Sequence, residues 1–220
     1  MQKQSPSTFL EQTQNNYDRI SRIYDLLSGR AEKHLINNLV AGIELDHPQT
    51  IIEIGCGTGN GLIALRNKYP TTHLIGIDLS FSMCAQASRK LAADSHFSTP
   101  LICQGDVLNL LLPNNAADLV FMSFTFELFP ENLQTDLLRE IKRVLSAQGR
   151  IAIISMYKDK NPGWMSKIYA ASHRRFPKII DCSPLDGPMI FQQHGFSIIH
   201  QSLHSLWDIP VISFTAAMRG

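Results

Sequence analysis

The stretch Glu53-Ile54-Gly55-Cys56-Gly57-Thr58-Gly59 constrains this chain more than any other. Its three alternate glycines follow the apolar run Thr50 to Ile54. They precede a helical pattern from Asn60 to Tyr69 that Pro70 stops. Glycine lets a main chain turn sharply and approach a ligand closely. The helix beyond offers free N–H groups and a partial positive charge. A second apolar run, His73 to Ile77, ends at Asp78. In an open parallel sheet ligands bind beyond the carboxyl ends of the strands, where both features fall.

The rest of the chain repeats the strand–helix alternation. Ser80 can cap a helix reaching about Ala93, and Leu101 to Cys103 and Asp118 to Met122 read as strands. Glu131 to Leu145 carries the apolar stripe Leu133, Leu137, Leu138, Ile141, Val144, Leu145. Gly149 follows it, then a strand from Arg150 to Ile154. Strands that are apolar throughout belong to a parallel sheet covered on both faces. Ser197 to His204 and Val211 to Ala217 read as a final antiparallel hairpin around Trp207-Asp208-Ile209-Pro210. The expected fold is therefore α/β: a doubly wound, mostly parallel, seven-stranded sheet with a C-terminal antiparallel hairpin.

Residues 1–7 read as a frayed tail, and Thr8 to about Ile43 as helical. Residues 1–45 are expected to form an N-terminal helical cover and 46–220 the ligand-binding domain, with an insertion at about 157–185. Tyr17 and Tyr24 share a helix face, as packing residues or as ligand contacts. The insertion's His173, Arg174, Arg175 and Lys178 read as a solvated basic face or as an attractor for an acidic group.

Composition narrows the function classes. Lys plus Arg is 20 and Asp plus Glu 19, a balance that gives no support to a polyanion binder. An apolar share of 44% can build a core and excludes disorder as the main state. Cys56, Cys84, Cys103 and Cys182 form no C-x-x-C pair, so no metal site is expected. The polar N-terminus lacks a signal-peptide core, and no run approaches the ~18 apolar residues of a membrane span. A soluble, cytoplasmic protein is expected, with peripheral membrane contact and an oligomer both left open.

The spacing also selects the ligand. A dinucleotide fingerprint, G-x-G-x-x-G, would need glycine at position 60, which holds Asn60. Glu53 would repel a pyrophosphate but tolerates a sulfonium and an ammonium. This favours S-adenosylmethionine (SAM) over a nicotinamide dinucleotide. Asp78 is placed to accept from ribose hydroxyls.

The stretches EIGCGTG, GIDLS at 76–80, GDV at 105–107 and DLVFMSF at 118–124 resemble the class I SAM-dependent methyltransferases. Residues 17–29 and the terminal hairpin resemble the ubiquinone/menaquinone C-methyltransferase-like branch. The resemblance implies that Gly55, Cys56, Gly57 and Gly59 line the methionine part of the cofactor, with Glu53 beside them. It implies that Leu79 packs on the adenine and that Asp106 and Val107 border its far edge. Ser123 would lie near the transferred methyl, and Tyr24 would reach in from the cover. Where the quinone enzymes carry an Asn- and Arg-containing segment, this chain has Ser123 to Pro130, so a quinol acceptor does not follow.

The expectation is methyl transfer to a small, apolar or amphipathic acceptor, with no nucleic-acid partner. Phe121, Phe124, Phe126 and Phe129 read either as core or as an apolar acceptor pocket. His34, Glu127, His173 and Asp181 are the candidates for a base, needed where the acceptor carries a proton. The alternatives are a phospholipid amine of the phosphatidylethanolamine type as acceptor, and a SAM-binding regulatory module without turnover.

Overall fold

A computed structural model describes residues 11, 13–14, 32–92, 99–158, 184–206 and 209–219. Tyr17, Tyr24, His173, Asp181, most of the expected insertion and two residues of the hairpin turn lie outside the described residues.

Seven strands form one sheet in the order β3-β2-β1-β4-β5-β7-β6. They are β1 (Thr50–Ile54), β2 (His73–Asp78), β3 (Leu101–Gln104), β4 (Ala117–Ser123), β5 (Leu145–Met156), β6 (Phe196–Leu206) and β7 (Ile209–Met218). The first five run parallel, and β7 is antiparallel to both β5 and β6. The helices are α1 (residues 32–42), α2 (Asn60–Lys68), α3 (Phe81–Ala92), α4 (Glu131–Val144) and α5 (Gly187–Gln193). No helix among the described residues is long and apolar enough to cross a membrane.

Alternation within the apolar strands sorts their side chains onto two cores. Ile52, Ile54, Val120, Met122, Ile151 and Ile153 pack with the stripe of α4 and with Phe191 of α5. Ile51, Leu119, Phe121, Ala152 and Ile154 pack with α1, α2 and the inner side of α3. The expected aromatic row divides the same way: Phe121 joins one core, Phe126 and Phe129 the other.

Beyond shifts of a few residues at strand ends, one boundary and one element differ from the sequence reading. The strand expected from Arg150 starts at Leu145, directly after α4, and pairs with Ala117 before the register shifts. Helix α5 was not among the expected elements. Asp186 caps it by accepting from the Met189 N–H at 3.2 Å, which places the proline within the first turn where it is tolerated.

The end of α1 is fastened to α2. Lys68 Nζ donates to the carbonyls of Val40 (2.9 Å), Ala41 (2.6 Å) and Ile43, and Tyr69 donates to Ile43 O at 2.8 Å. These are the carbonyls a helix C-terminus leaves unpaired, met by a cation at the negative end of the helix dipole. Lys68→Met is expected to lower stability by about 1.5 kcal/mol, the scale of a hydrogen bond to a charged group. Chemical denaturation of the variant checks this.

Candidate functional site

The site lies at the carboxyl ends of β1, β2 and β4. After Ile54 the backbone turns through Gly55, Gly57 and Gly59, whose φ angles are 68°, 50° and 85°. All three lie in the left-handed region that favours glycine. Gly55 is also fixed by space: a Cβ there would collide with the Thr125 side chain. The loop is tied to β2 by donation from the Gly55 and Cys56 N–H groups to Ile77 O, at 2.8 and 3.1 Å.

Asp78 carries this tie to its end. One carboxylate oxygen accepts from the Gly57 N–H at 2.8 Å, and the other from the Ser80 N–H at 2.9 Å. Ser80 caps α3 as expected, its hydroxyl accepting from the Met83 N–H at 3.1 Å. Asp78 thus orders the glycine loop and the start of α3 around one cleft.

That cleft has a volume of about 710 Å³ including its open mouth. Of the residues expected at the site it is lined by Gly55, Gly57, Asp78, Leu79, Val107 and Ser123. Sequence reasoning missed Thr13, Gln14, Ser80, Met83 and Gly105, and did not separate Phe124, Thr125, Leu128 and Phe129 as wall residues. A smaller hollow of about 290 Å³ shares Gly55, Gly57 and Ser123 with the cleft and adds Glu53, Cys56 and Glu32 of α1. Gly59 and Asp106 line neither. Gly59 is the N-cap of α2, and the Asp106 carboxylate closes its own turn on the Leu108 N–H at 2.9 Å.

Glu53 is buried, and desolvation pushes its carboxyl well above the usual carboxylate range, with Asp78 and Glu32 adding repulsion. The Leu62 N–H of α2 donates to it, while Oε2 has no hydrogen-bond partner. Gly61 makes room for it, since a Cβ there would overlap the carboxylate carbon and both oxygens. The Ser123 hydroxyl, on the same wall, is also without a partner. Cys56 is held protonated by the adjacent Cys84 thiol and by burial.

Of the base candidates that are described, His34 is exposed and bonded to Asn38 at 3.1 Å. Glu127 is buried on the short 3₁₀ turn after β4. Its Oε1 accepts from the Met156 N–H at 3.0 Å, and Oε2 has no partner. Burial pushes its carboxyl up to about 7, and Glu32 contributes repulsion. A pKa raised on folding means that the folded state holds the proton more tightly, so stability falls as pH climbs from about 4.5 to about 7. Melting temperature across that window is expected to fall more steeply for the wild type than for Glu127→Gln. Parallel curves would exclude Glu127 as the source.

Residues 51–149 match the family model described as a methyltransferase domain. A demethylmenaquinone methyltransferase of Thermotoga maritima is 28% identical over 158 residues, covering 70% of this chain and 66% of that protein. Residues 51–149 thus carry a methyltransferase domain, and the chain is similar to SAM-dependent methyltransferases. A malonyl-[acyl-carrier protein] O-methyltransferase of a Marinomonas species is also 28% identical, over 72% of this chain and 56% of that protein. Among solved structures, magnesium protoporphyrin IX methyltransferase of Synechocystis, with bound S-adenosylhomocysteine, superposes with a TM-score of 0.74. That likeness, at 17% identity over 98% of this chain and 100% of the other, is one of fold. The methyltransferase sheet order accounts for the site's position: β1 and β4 are neighbours in space with connections leaving in opposite directions, which opens a crevice at their ends.

Proposed function

We propose that this methyltransferase moves the methyl group of SAM to a small, apolar or amphipathic acceptor. In this reading the cleft takes the adenosine half and the acceptor, and the hollow takes the amino-acid tail. The observation that carries it is the buried Glu53 Oε2, unpartnered in a hollow beside the glycine loop. Such an atom costs free energy until a donor meets it, and an ammonium is the donor this carboxylate suits.

SAM when bound supplies an activated methyl on a sulfonium, so the protein's task is alignment, which can be worth ~7–11 kcal/mol. In the same reading Asp78 would accept from the ribose hydroxyls, and Leu79 and Val107, which line the cleft, would pack on the adenine. Ser123, shared by cleft and hollow, stands where the two halves of the cofactor would join. Phe124, Leu128 and Phe129 give the acceptor an apolar wall that excludes water. Thr13 and Gln14 reach the cleft from the N-terminal segment, which supports residues 1–45 as a cover over the 46–220 domain. The relatives' names span a demethylmenaquinone and a malonyl-[acyl-carrier protein], so acceptor chemistry varies widely across this similarity.

The test is binding and turnover together. Titration should show SAM and S-adenosylhomocysteine binding more tightly than NADH. Isotopically labelled SAM with fractionated cell extract should place label on a small molecule. Tighter NADH binding would overturn the cofactor reading, and label on protein or nucleic acid would overturn the acceptor class. Binding without any labelled product would favour the regulatory module.

A further inference from the structure

The hollow has two unlike walls. One carries the carboxylates of Glu53 and Glu32; the other is the start of α2, with Thr58, Asn60 and Gly61. Lys90, in the last turn of α3, reaches the back of this second wall. Its Nζ donates to Thr58 Oγ1 at 3.1 Å and to Asn60 Oδ1 at 3.0 Å. Lys90 does not itself line the hollow.

We propose that Lys90 is a positioning residue for the amino-acid end of the cofactor. Through Thr58 and Asn60 it fixes the wall that meets the cofactor's carboxylate and adds positive charge behind it. The inference rests on the SAM reading above. Two observations carry it. The first turn of α2 has no acidic residue and Gly59 supplies no side-chain cap, so the positive end of the helix is offset only from outside its own turn, where the Glu53 carboxyl takes the Leu62 N–H. A lysine at that end adds to the positive potential, an arrangement that favours an anion. Independently, the Glu53 carboxyl, which lies against Gly61 and accepts from the Leu62 N–H, keeps a buried, unpartnered Oε2 that calls for a donor. A ligand end bearing both an ammonium and a carboxylate satisfies both walls at once. The same position explains why Asn60 stands where a dinucleotide fingerprint would have glycine: its side-chain oxygen is the acceptor Lys90 holds.

The experiment compares two ligands on three proteins. S-adenosylhomocysteine has the amino-acid tail; 5′-methylthioadenosine keeps the adenosine and thioether and lacks it. Titration is done on wild type, Lys90→Met and Lys90→Arg, with thermal melting to confirm that each is folded. Lys90→Met is expected to weaken S-adenosylhomocysteine about 10-fold, or ~1.4 kcal/mol. It should leave 5′-methylthioadenosine within about twofold, and Lys90→Arg should recover most of the loss, because its guanidinium keeps the charge. Equal losses for both ligands would reduce Lys90 to a brace of the loop and overturn the proposal, as would no loss for either. Should Lys90→Met not fold, Lys90→Arg against Lys90→Gln makes the same comparison. A folded wild type that binds neither ligand would instead bring down the SAM reading, and this inference with it.

Discussion

Asp78→Ala is expected to weaken S-adenosylhomocysteine binding by about 10- to 100-fold. The scale follows from losing one or two charge-assisted hydrogen bonds at about 1.5–3 kcal/mol, each ~1.4 kcal/mol being tenfold. The structure adds a second reason for a large effect. The same carboxylate holds the Gly57 and Ser80 N–H groups, so its removal frees the glycine loop as well as losing the proposed ribose contact. The loss should therefore extend to 5′-methylthioadenosine, in contrast to a change at Lys90. Asp78→Asn keeps one acceptor oxygen and should fall between. Isothermal titration giving wild-type affinity for Asp78→Ala would remove Asp78 from the site.

The second large effect is on stability. Phe191 of α5 is fully buried, and three aromatic rings surround it: Phe126 at 4.9 Å between centroids, Phe214 at 5.1 Å and Phe196 at 5.4 Å. Two of the three contacts are edge-on, the favoured arrangement for ring quadrupoles. Truncating such a residue loses its transfer free energy and leaves a cavity that rigid rings cannot fill. Phe191→Ala is expected to cost about 3–5 kcal/mol, measured by urea denaturation. Because Phe126 belongs to the turn that carries Glu127, the loosened packing should also reach the cleft wall at Leu128 and Phe129. A loss below about 1 kcal/mol would mean that α5 does not seal this core.

The parallel strands were legible because each is a short apolar run bounded by turn residues, and β1 matches its expected limits. Helix α5 was not, because its stripe is short and it opens on Gly187-Pro188, a pair that marks turns; only Asp186, three residues before Met189, marked it. At the site, Gly55, Gly57 and Asp78 were legible because a tight loop and a strand end impose their chemistry locally. Glu32, Thr125 and Gly61 were not. Their roles come from contacts between separate elements: Thr125 fills the space a Gly55 side chain would need, and Gly61 leaves room for Glu53. The aromatic row shows the same limit. Phe121 follows strand alternation and Phe126 a helical turn, so one spacing could not assign both.

Strand β7 lies between β5 and β6, although β6 precedes it in the chain. As the polypeptide leaves the ribosome, β6 emerges before its neighbour in the finished sheet has been made, and the edge of β5 then open is the place β7 must take. The aromatic cluster around Phe191 waits on the same event, since Phe214 sits on β7. Five strands can assemble during synthesis, while the last two must zip in together afterwards, leaving that flank of the nascent domain dependent on a late closing step.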